Sequence, residues 1–289
     1  MVSASTDRPG LAEAPATRIG PGIGRRLRAW NSLSDKGIRY AVLVLPVLSL
    51  ALVLVGWDVA VRWELFSNRL LPSPGDVVAA AGQMYVDGTL LTDAAASFRR
   101  ALQGFLLGSA IGVAAGVLTG RSRIARILLE PTIQVLRPIP VIALVPLAIL
   151  WFGIGEESKL FLTSLGVFFP VWVNTHAGAS STREDYLRVA ASVGASRYQT
   201  FSQVVVPASL PFVLVGLRQG IAASLILIVA SEQSGVAEGL GFRLDQARLF
   251  SQPDRLFVCL MALGIVGALA DQIFHQLTRR RVRWAQEQA

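Results

Sequence analysis

Two histidines and one cysteine stand among 289 residues. That is too few nitrogen and sulfur ligands for a four-coordinate metal site. The lone Cys259 has no partner for an intrachain disulfide. Charge is scarce as well: 16% of residues are Asp, Glu, Lys or Arg, against about 25% in soluble domains. No G-x-x-x-x-G-K-[ST] stretch is present, so the chain lacks the usual cradle for nucleotide phosphates. Neither G-x-S-x-G nor H-E-x-x-H occurs. His176 and His275 lie near the ends of apolar runs with no nucleophile beside them, and both read as interfacial polar residues. Catalysis and bound cofactors are therefore not expected.

Ionisable residues are nearly absent from the long apolar runs. Glu232 and Asp271 stand out, each near the end of a run. Glu232 is expected to face an outer vestibule or cap a turn, with contact to a solute as the rarer case, and Asp271 to sit at the inner interface or pair within the bundle. No repeat of fixed period divides the chain into related halves. An ion-gradient-driven secondary transporter, the alternative reading, would need such a repeat or a richer intramembrane ion site.

What is present is hydrophobic length. Apolar residues make up 53% of the chain and fall in runs long enough for a bilayer. The reading is an all-α polytopic membrane protein with about six spans: 41–57, 102–119, 128–152, 160–175, 212–230 and 256–277. Arginines crowd before the first run and at 121–126 and 279–283, so the positive-inside rule puts both termini in the cytoplasm. The net charge of +8 thus reports topology rather than nucleic-acid binding. Residues 1–40 lack an early apolar core and read as a cytoplasmic tail, with a short helix possible from Trp30. Residues 58–100 are expected outside, with turns at 71–75 and an amphipathic piece at 77–85. Residues 101–278 form a core of five spans, and 279–289 an inner tail.

Two spans are unusual. The second carries Gly104, Gly108, Gly112 and Gly116, a small-residue face for close helix approach. Packing within the subunit is its simplest use, and a seam between subunits the alternative. The third carries Pro131, Pro138, Pro140 and Pro146. Proline removes a backbone donor, which lipid does not replace. Pro138, Pro140 and Pro146, with Glu232, are the candidate pathway residues. A broken helix beside a pathway and simple kinks both fit.

The polar stretch 181–211 between the fourth and fifth spans is patterned as structure. Ser181 and Glu184 have capping-box spacing, as do Ser196 and Gln199. Tyr186, Val189, Ala190 and Val193 form one helical stripe, and Tyr198, Phe201 and Val205 a second. Gly194 suits a left-handed cap between them. Two short helices hinged at Gly194 are expected, with Pro207 ending the polar part. Tyr186, Val189, Val193, Tyr198 and Phe201 offer apolar anchors, and Glu184, Asp185, Arg188 and Arg197 a polar rim.

This stretch resembles the cytoplasmic "EAA" loop of permease subunits of ATP-binding-cassette importers: EAA, three residues, Gly, nine residues, aliphatic-x-aliphatic-Pro. Ala190, Gly194, Val204, Val206 and Pro207 match in spacing, whereas Arg188 and Val189 stand where Glu and Ala are usual. Leu71–Pro72–Ser73–Pro74, Gly194–Ala195–Ser196 and Glu238–Gly239–Leu240–Gly241–Phe242 resemble the nitrate, sulfonate and taurine branch, over roughly residues 70–280. The resemblance implies a type I importer permease fold in a bacterial inner membrane. It also implies a non-catalytic subunit that docks two copies of a cytoplasmic ATP-binding subunit through this loop, Ala195 included. A second permease chain, identical in the simplest case, and an extracytoplasmic solute-binding protein complete the assembly. The implied solute is a small anion such as nitrate, sulfonate or taurine.

Overall fold

A computed structural model describes residues 44–45, 47–63 and 70–279. The tail expected over 1–40, residues 280–289 of the inner tail and any helix from Trp30 lie outside them. The chain divides into two units at Ala60. In the first, residues 44–45 and 47–60 are helical, which accounts for most of the first expected span. That helix, α1, runs to residue 62.

The second unit is helical throughout its regular structure. Helix α2 (Pro74–Val86) starts at a complete capping box, with the Ser73 hydroxyl bonded to Asp76 N and the Asp76 carboxylate to Ser73 N. It buries Val77, Ala80 and Met84. Helix α3 spans Thr89–Arg121, so the second apolar run sits in a helix that begins well before residue 102 and takes up 89–100 of the segment expected outside. The mixed polarity of 89–100 hid this, because charged Asp93 and Arg100 are buried with Ala96 while Leu91 and Phe98 are exposed.

The glycines of α3 settle their own question. Gly104, Gly108, Gly112, Gly116 and Gly120 meet α6 (Glu156–Ser180) residue by residue, from Thr163 to Ala179. A Cβ at Gly116 would lie 2.6 Å from Thr175 Cβ. The stripe thus packs within the subunit. Because contacts advance in the same direction along both helices, α3 and α6 are parallel. The chain between them must return along the length of the bundle.

That return is the third expected span, and it is broken. Helix α4 (Arg123–Leu136) and the 3₁₀ turn Val141–Leu144 with α5 (Val145–Phe152) meet at 86°. Pro138 and Pro140 lie in the break and Pro146 in the first turn of α5, whereas Pro131 sits inside α4 without ending it. Simple kinks are excluded.

Helix α6 is the centre of the bundle, with Leu162, Val167, Val171 and Trp172 buried. After α7 (Glu184–Ser192) and α8 (Arg197–Thr200), α9 (Val206–Glu232) runs antiparallel to α6, with Gly216 against Asn174 and Gly220 against Val167. Helix α10 (Leu240–Leu249) and α11 (Pro253–Arg279) complete the unit. Among the described residues, four helices, α3, α6, the continuous Arg197–Glu232 and α11, are individually long and apolar enough to cross a membrane, and α4–α5 passes the same test as a bent pair.

Candidate functional site

The loop after α6 departs from expectation in two ways. Helix α6 continues to Ser180, so Ser181 closes it, donating from Oγ to Gly178 O at 3.2 Å. Its capping box with Glu184 does not form: Arg183 is the N-cap of α7 and makes no side-chain cap. Glu184 instead pairs with Arg188 one turn on, at 3.0 Å. The second box does form, with Gln199 N donating to Ser196 Oγ at 3.2 Å and Ser196 N to Gln199 Oε1 at 2.8 Å.

The second helix is not separate. Arg197–Thr200 passes through a π turn, Phe201–Val205, directly into α9. Pro207 has no N–H to give, and a wide turn just before it relieves the ladder there instead of ending the helix. The loop is thus one free nine-residue helix, α7, joined by Gly194 to the protruding end of a span. Gly194 has φ +74°, and Ala195 N donates to Ala190 O across it at 3.0 Å. That is the expected left-handed cap.

Of the two apolar stripes, Ala190 and Val205 are buried, whereas Tyr186, Val189, Val193, Tyr198 and Phe201 are exposed. An open groove of about 490 Å³ runs between Tyr186, Val189 and Val193 on α7 and Gln203, Val204 and Pro207 on the other wall. Ala195 lines it too. Around it, Arg183 pairs with Asp185 at 3.2 Å and lies over the Tyr186 ring, and Arg197 is exposed. Tyr186, Val189 and Val193 thus leave an exposed apolar wall facing half-buried Val204 and Pro207.

The opposite end of the bundle holds the other concentration of charge. Asp93, Ser97 and Arg100 occupy one face of α3 at i, i+4, i+7 and are all buried. Arg100 Nη1 donates to Glu232 Oε1 and to Glu238 O, each at 2.8 Å, and its Nε to Glu156 at 2.8 Å. Ser97 Oγ donates to Glu232 Oε2 at 2.7 Å, and Gly241 N to the same oxygen at 3.0 Å. Asp93 accepts from Gly239 N and from Arg243 Nε, both at 2.8 Å. Leu240 N donates to Ser97 Oγ at 2.8 Å. The stretch 238–242 is therefore pinned by its backbone to α3.

Glu232 is fully enclosed in this cluster. It caps the start of α10, one of its two expected roles, and lines no open cavity. Asp271 pairs within the bundle, receiving Arg218 Nε at 2.6 Å and Nη2 at 2.7 Å across α9 and α11. Arg218, in the middle of the fifth apolar run, was missed by the sequence reading although its position there is plain in the sequence. Asn174 and Gln219, bonded at 3.0 Å between α6 and α9, were missed as well. Both are neutral, and only α6–α9 packing brings them together. Among the described residues, no group of three or more His, Cys, Asp or Glu is arranged to hold a metal.

Comparison with known proteins agrees with this architecture. Residues 108–283 match the family model "Binding-protein-dependent transport system inner membrane component". A Brucella abortus protein named "probable ABC transporter permease protein" is 38% identical over 251 residues, 87% of this chain and 99% of the relative. The taurine transport system permease protein of Escherichia coli is 34% identical over 83% of this chain and 89% of its own length. The nitrate import permease protein of Synechocystis is 32% identical over 78% and 85%. In fold, a chain of the inward-facing MetNI methionine ABC transporter superposes with a TM-score of 0.54 at 19% identity, over 70% of this chain and 99% of that one. The helical fold is thus shared with ABC importer permeases, and this chain belongs to the family of inner-membrane components of binding-protein-dependent transport systems, as a permease subunit of an ABC importer.

Proposed function

We propose that this chain forms half of a membrane pathway whose transport is driven by ATP hydrolysed on a separate subunit, docked at the loop 181–211. The observation that carries the reading is the open apolar groove between α7 and the start of the α8–α9 helix. Burying an exposed Tyr186, Val189 and Val193 against a partner recovers about 1.5–3 kcal/mol per large side chain. Charged Glu184, Asp185, Arg188 and Arg197 around it set the orientation of docking. Gly194 fixes how α7 is held against the span, so a push on the groove is delivered to α9.

Arginines at 121, 123 and 126 and at Arg279 mark the loop's end of the bundle as cytoplasmic and, with the first expected span, leave both termini inside a bacterial inner membrane. The assembly comprises two ATP-binding subunits, a second permease chain identical to this one, and an extracytoplasmic binding protein. The solute is a small anion, in the class of taurine, sulfonates or nitrate; relatives named for taurine and nitrate support it. The pathway follows the broken span, with Pro138, Pro140 and Pro146 setting its bend. Glu232 serves it by holding α9 to α3 and α10 rather than by touching solute.

The test is a mild-detergent isolation of the tagged chain from its own cells, with partners identified and ATP hydrolysis assayed. A stoichiometric phosphate-loop ATPase that is lost when 184–197 is altered is expected. A preparation without any ATPase that still moves solute in vesicles would replace the reading with a gradient-driven carrier.

A further inference from the structure

A second recess of about 540 Å³ opens between α4 and α6, lined by Glu130, Gln134, Arg137 and Pro138 on one side and Trp172 and His176 on the other. Its position follows from topology. Helix α4 leaves the arginine-rich end and rises for 14 residues before the break, about 21 Å at 1.5 Å per residue. Arg137 caps that rise and so stands at the elbow of the bent pair, exposed beside the recess.

Other cations along these helices have side-chain partners or a backbone acceptor. Arg100 is bound by Glu156 and Glu232, and Arg218 by Asp271. Lys159 donates to Gly155 O at 2.7 Å. Arg137 is exposed, and its side chain has no hydrogen-bond or ion-pair partner among the described residues. The negative end of the α4 dipole favours a cation at this position while leaving the guanidinium donors free. An unpaired arginine cannot face hydrocarbon cheaply, so it faces water or a ligand.

Glu130 is the opposing charge in the recess. It lies seven residues back toward the cytoplasm, about 10 Å along the helix, and already accepts from Gln134 Nε2 at 2.8 Å. His176 is engaged at Nδ1 by Thr119 Oγ1 at 2.9 Å. The recess is thus positive at its elbow end and negative at its cytoplasmic end.

We propose that Arg137 is the anion-reading residue of the pathway, a transient contact for the sulfonate or other oxyanion group of the solute at the elbow of the broken span. A bidentate guanidinium suits a planar or tetrahedral oxyanion. Glu130 beyond it keeps the anion from lodging, as conduction requires weak binding. This rests on the anionic solute class proposed above.

The test uses the whole transporter with its ATPase in phosphatidylcholine vesicles. Gln134→Cys supplies a thiol beside Arg137, and Cys259, fully buried, is the unreactive background. Its reaction with an anionic sulfonatoethyl thiosulfonate is compared with that of the cationic trimethylammonium analogue. The anionic reagent is expected to be favoured, with Arg137→Gln lowering the ratio about tenfold, as one charge at about 8 Å in a partly screened site predicts, and Arg137→Lys lowering it less. An unchanged ratio, or a thiol inert to both reagents, overturns the proposal. Addition of phosphatidylglycerol should leave the ratio unchanged; a fall would mean that a lipid headgroup, not the solute, occupies Arg137. ATP-driven taurine uptake run in parallel separates the two ideas. Uptake unaffected by Arg137→Gln overturns only the role of Arg137, whereas failure of the parent to bind an ATPase or take up any anion overturns the functional reading, with the reagent ratio still reporting on the recess.

Discussion

The two ends of this bundle treat charge in opposite ways. At the α10 end, Asp93, Arg100 and Glu232 are almost wholly buried, and each of them meets a partner of opposite charge or a backbone N–H. At the loop end, Glu184 and Arg188 keep about four-fifths of their side chains exposed, and their one ion pair lies within a single helix. Apolar side chains invert the same way: Leu240 is fully buried at one end, and Val193 is 75% exposed at the other. One end spends its charges on joining α3, α6, α9 and α10. The other pairs its charges only locally and leaves large apolar side chains exposed.

The strongest way to break that contrast is Arg100→Ala. It leaves fully buried Glu232 without its charge partner and removes the tie to Glu156 and to Glu238 O. Removing one partner of a buried pair costs about 3–5 kcal/mol. Much lower membrane levels and a markedly lower unfolding midpoint in detergent are expected. A midpoint close to the parent's would mean that the α10 end is no more committed than the loop.

Gly194→Val acts at the loop end with a smaller and different effect. A Cβ at Gly194 meets nothing within 4 Å, so only the backbone objects. Holding a non-glycine residue at φ +74° costs about 1–2 kcal/mol. The substitution should leave the bundle folded while tilting α7, so that ATP hydrolysis by the docked partner continues and uptake falls. Gly194→Asn, which tolerates the left-handed region, should keep the two linked. Unchanged uptake in the valine variant at normal membrane levels would remove the hinge.

How much of this was legible depended on whether a signal was local. The Gly104–Gly116 stripe and the Gly194 cap each rest on a few neighbouring residues, and each appears where the sequence puts it. The proline-rich third run left a broken helix and simple kinks equally open, and the 86° angle was not legible in it. Ser181 was assigned to the wrong helix because the same serine can end one helix or start the next, and α6 runs on to Ser180. The outer cluster was hidden by distance, since Ser97 and Glu232 lie 135 residues apart. The i, i+4, i+7 spacing of Asp93, Ser97 and Arg100 was readable, but only once α3 was known to begin at Thr89.

The gentlest perturbation is the most discriminating at the loop. Arg188 stands where the resembling loops carry Glu, and here it bonds Glu184 at 3.0 Å. Arg188→Glu restores the common residue and sets two like charges one turn apart, which costs an exposed helix about 0.3–0.5 kcal/mol. The unfolding midpoint should therefore barely move. Docking is another matter, because rim charges act mainly on association rate and its salt dependence. If Arg188 belongs to the docking rim, the ATPase should associate at a rate changed several-fold at low ionic strength, and the difference should fade as salt shortens the screening length from about 30 Å at 0.01 M to about 8 Å at 0.15 M. Equal association rates at both salt concentrations would confine docking to the apolar groove and reduce the Glu184–Arg188 pair to a local brace of α7.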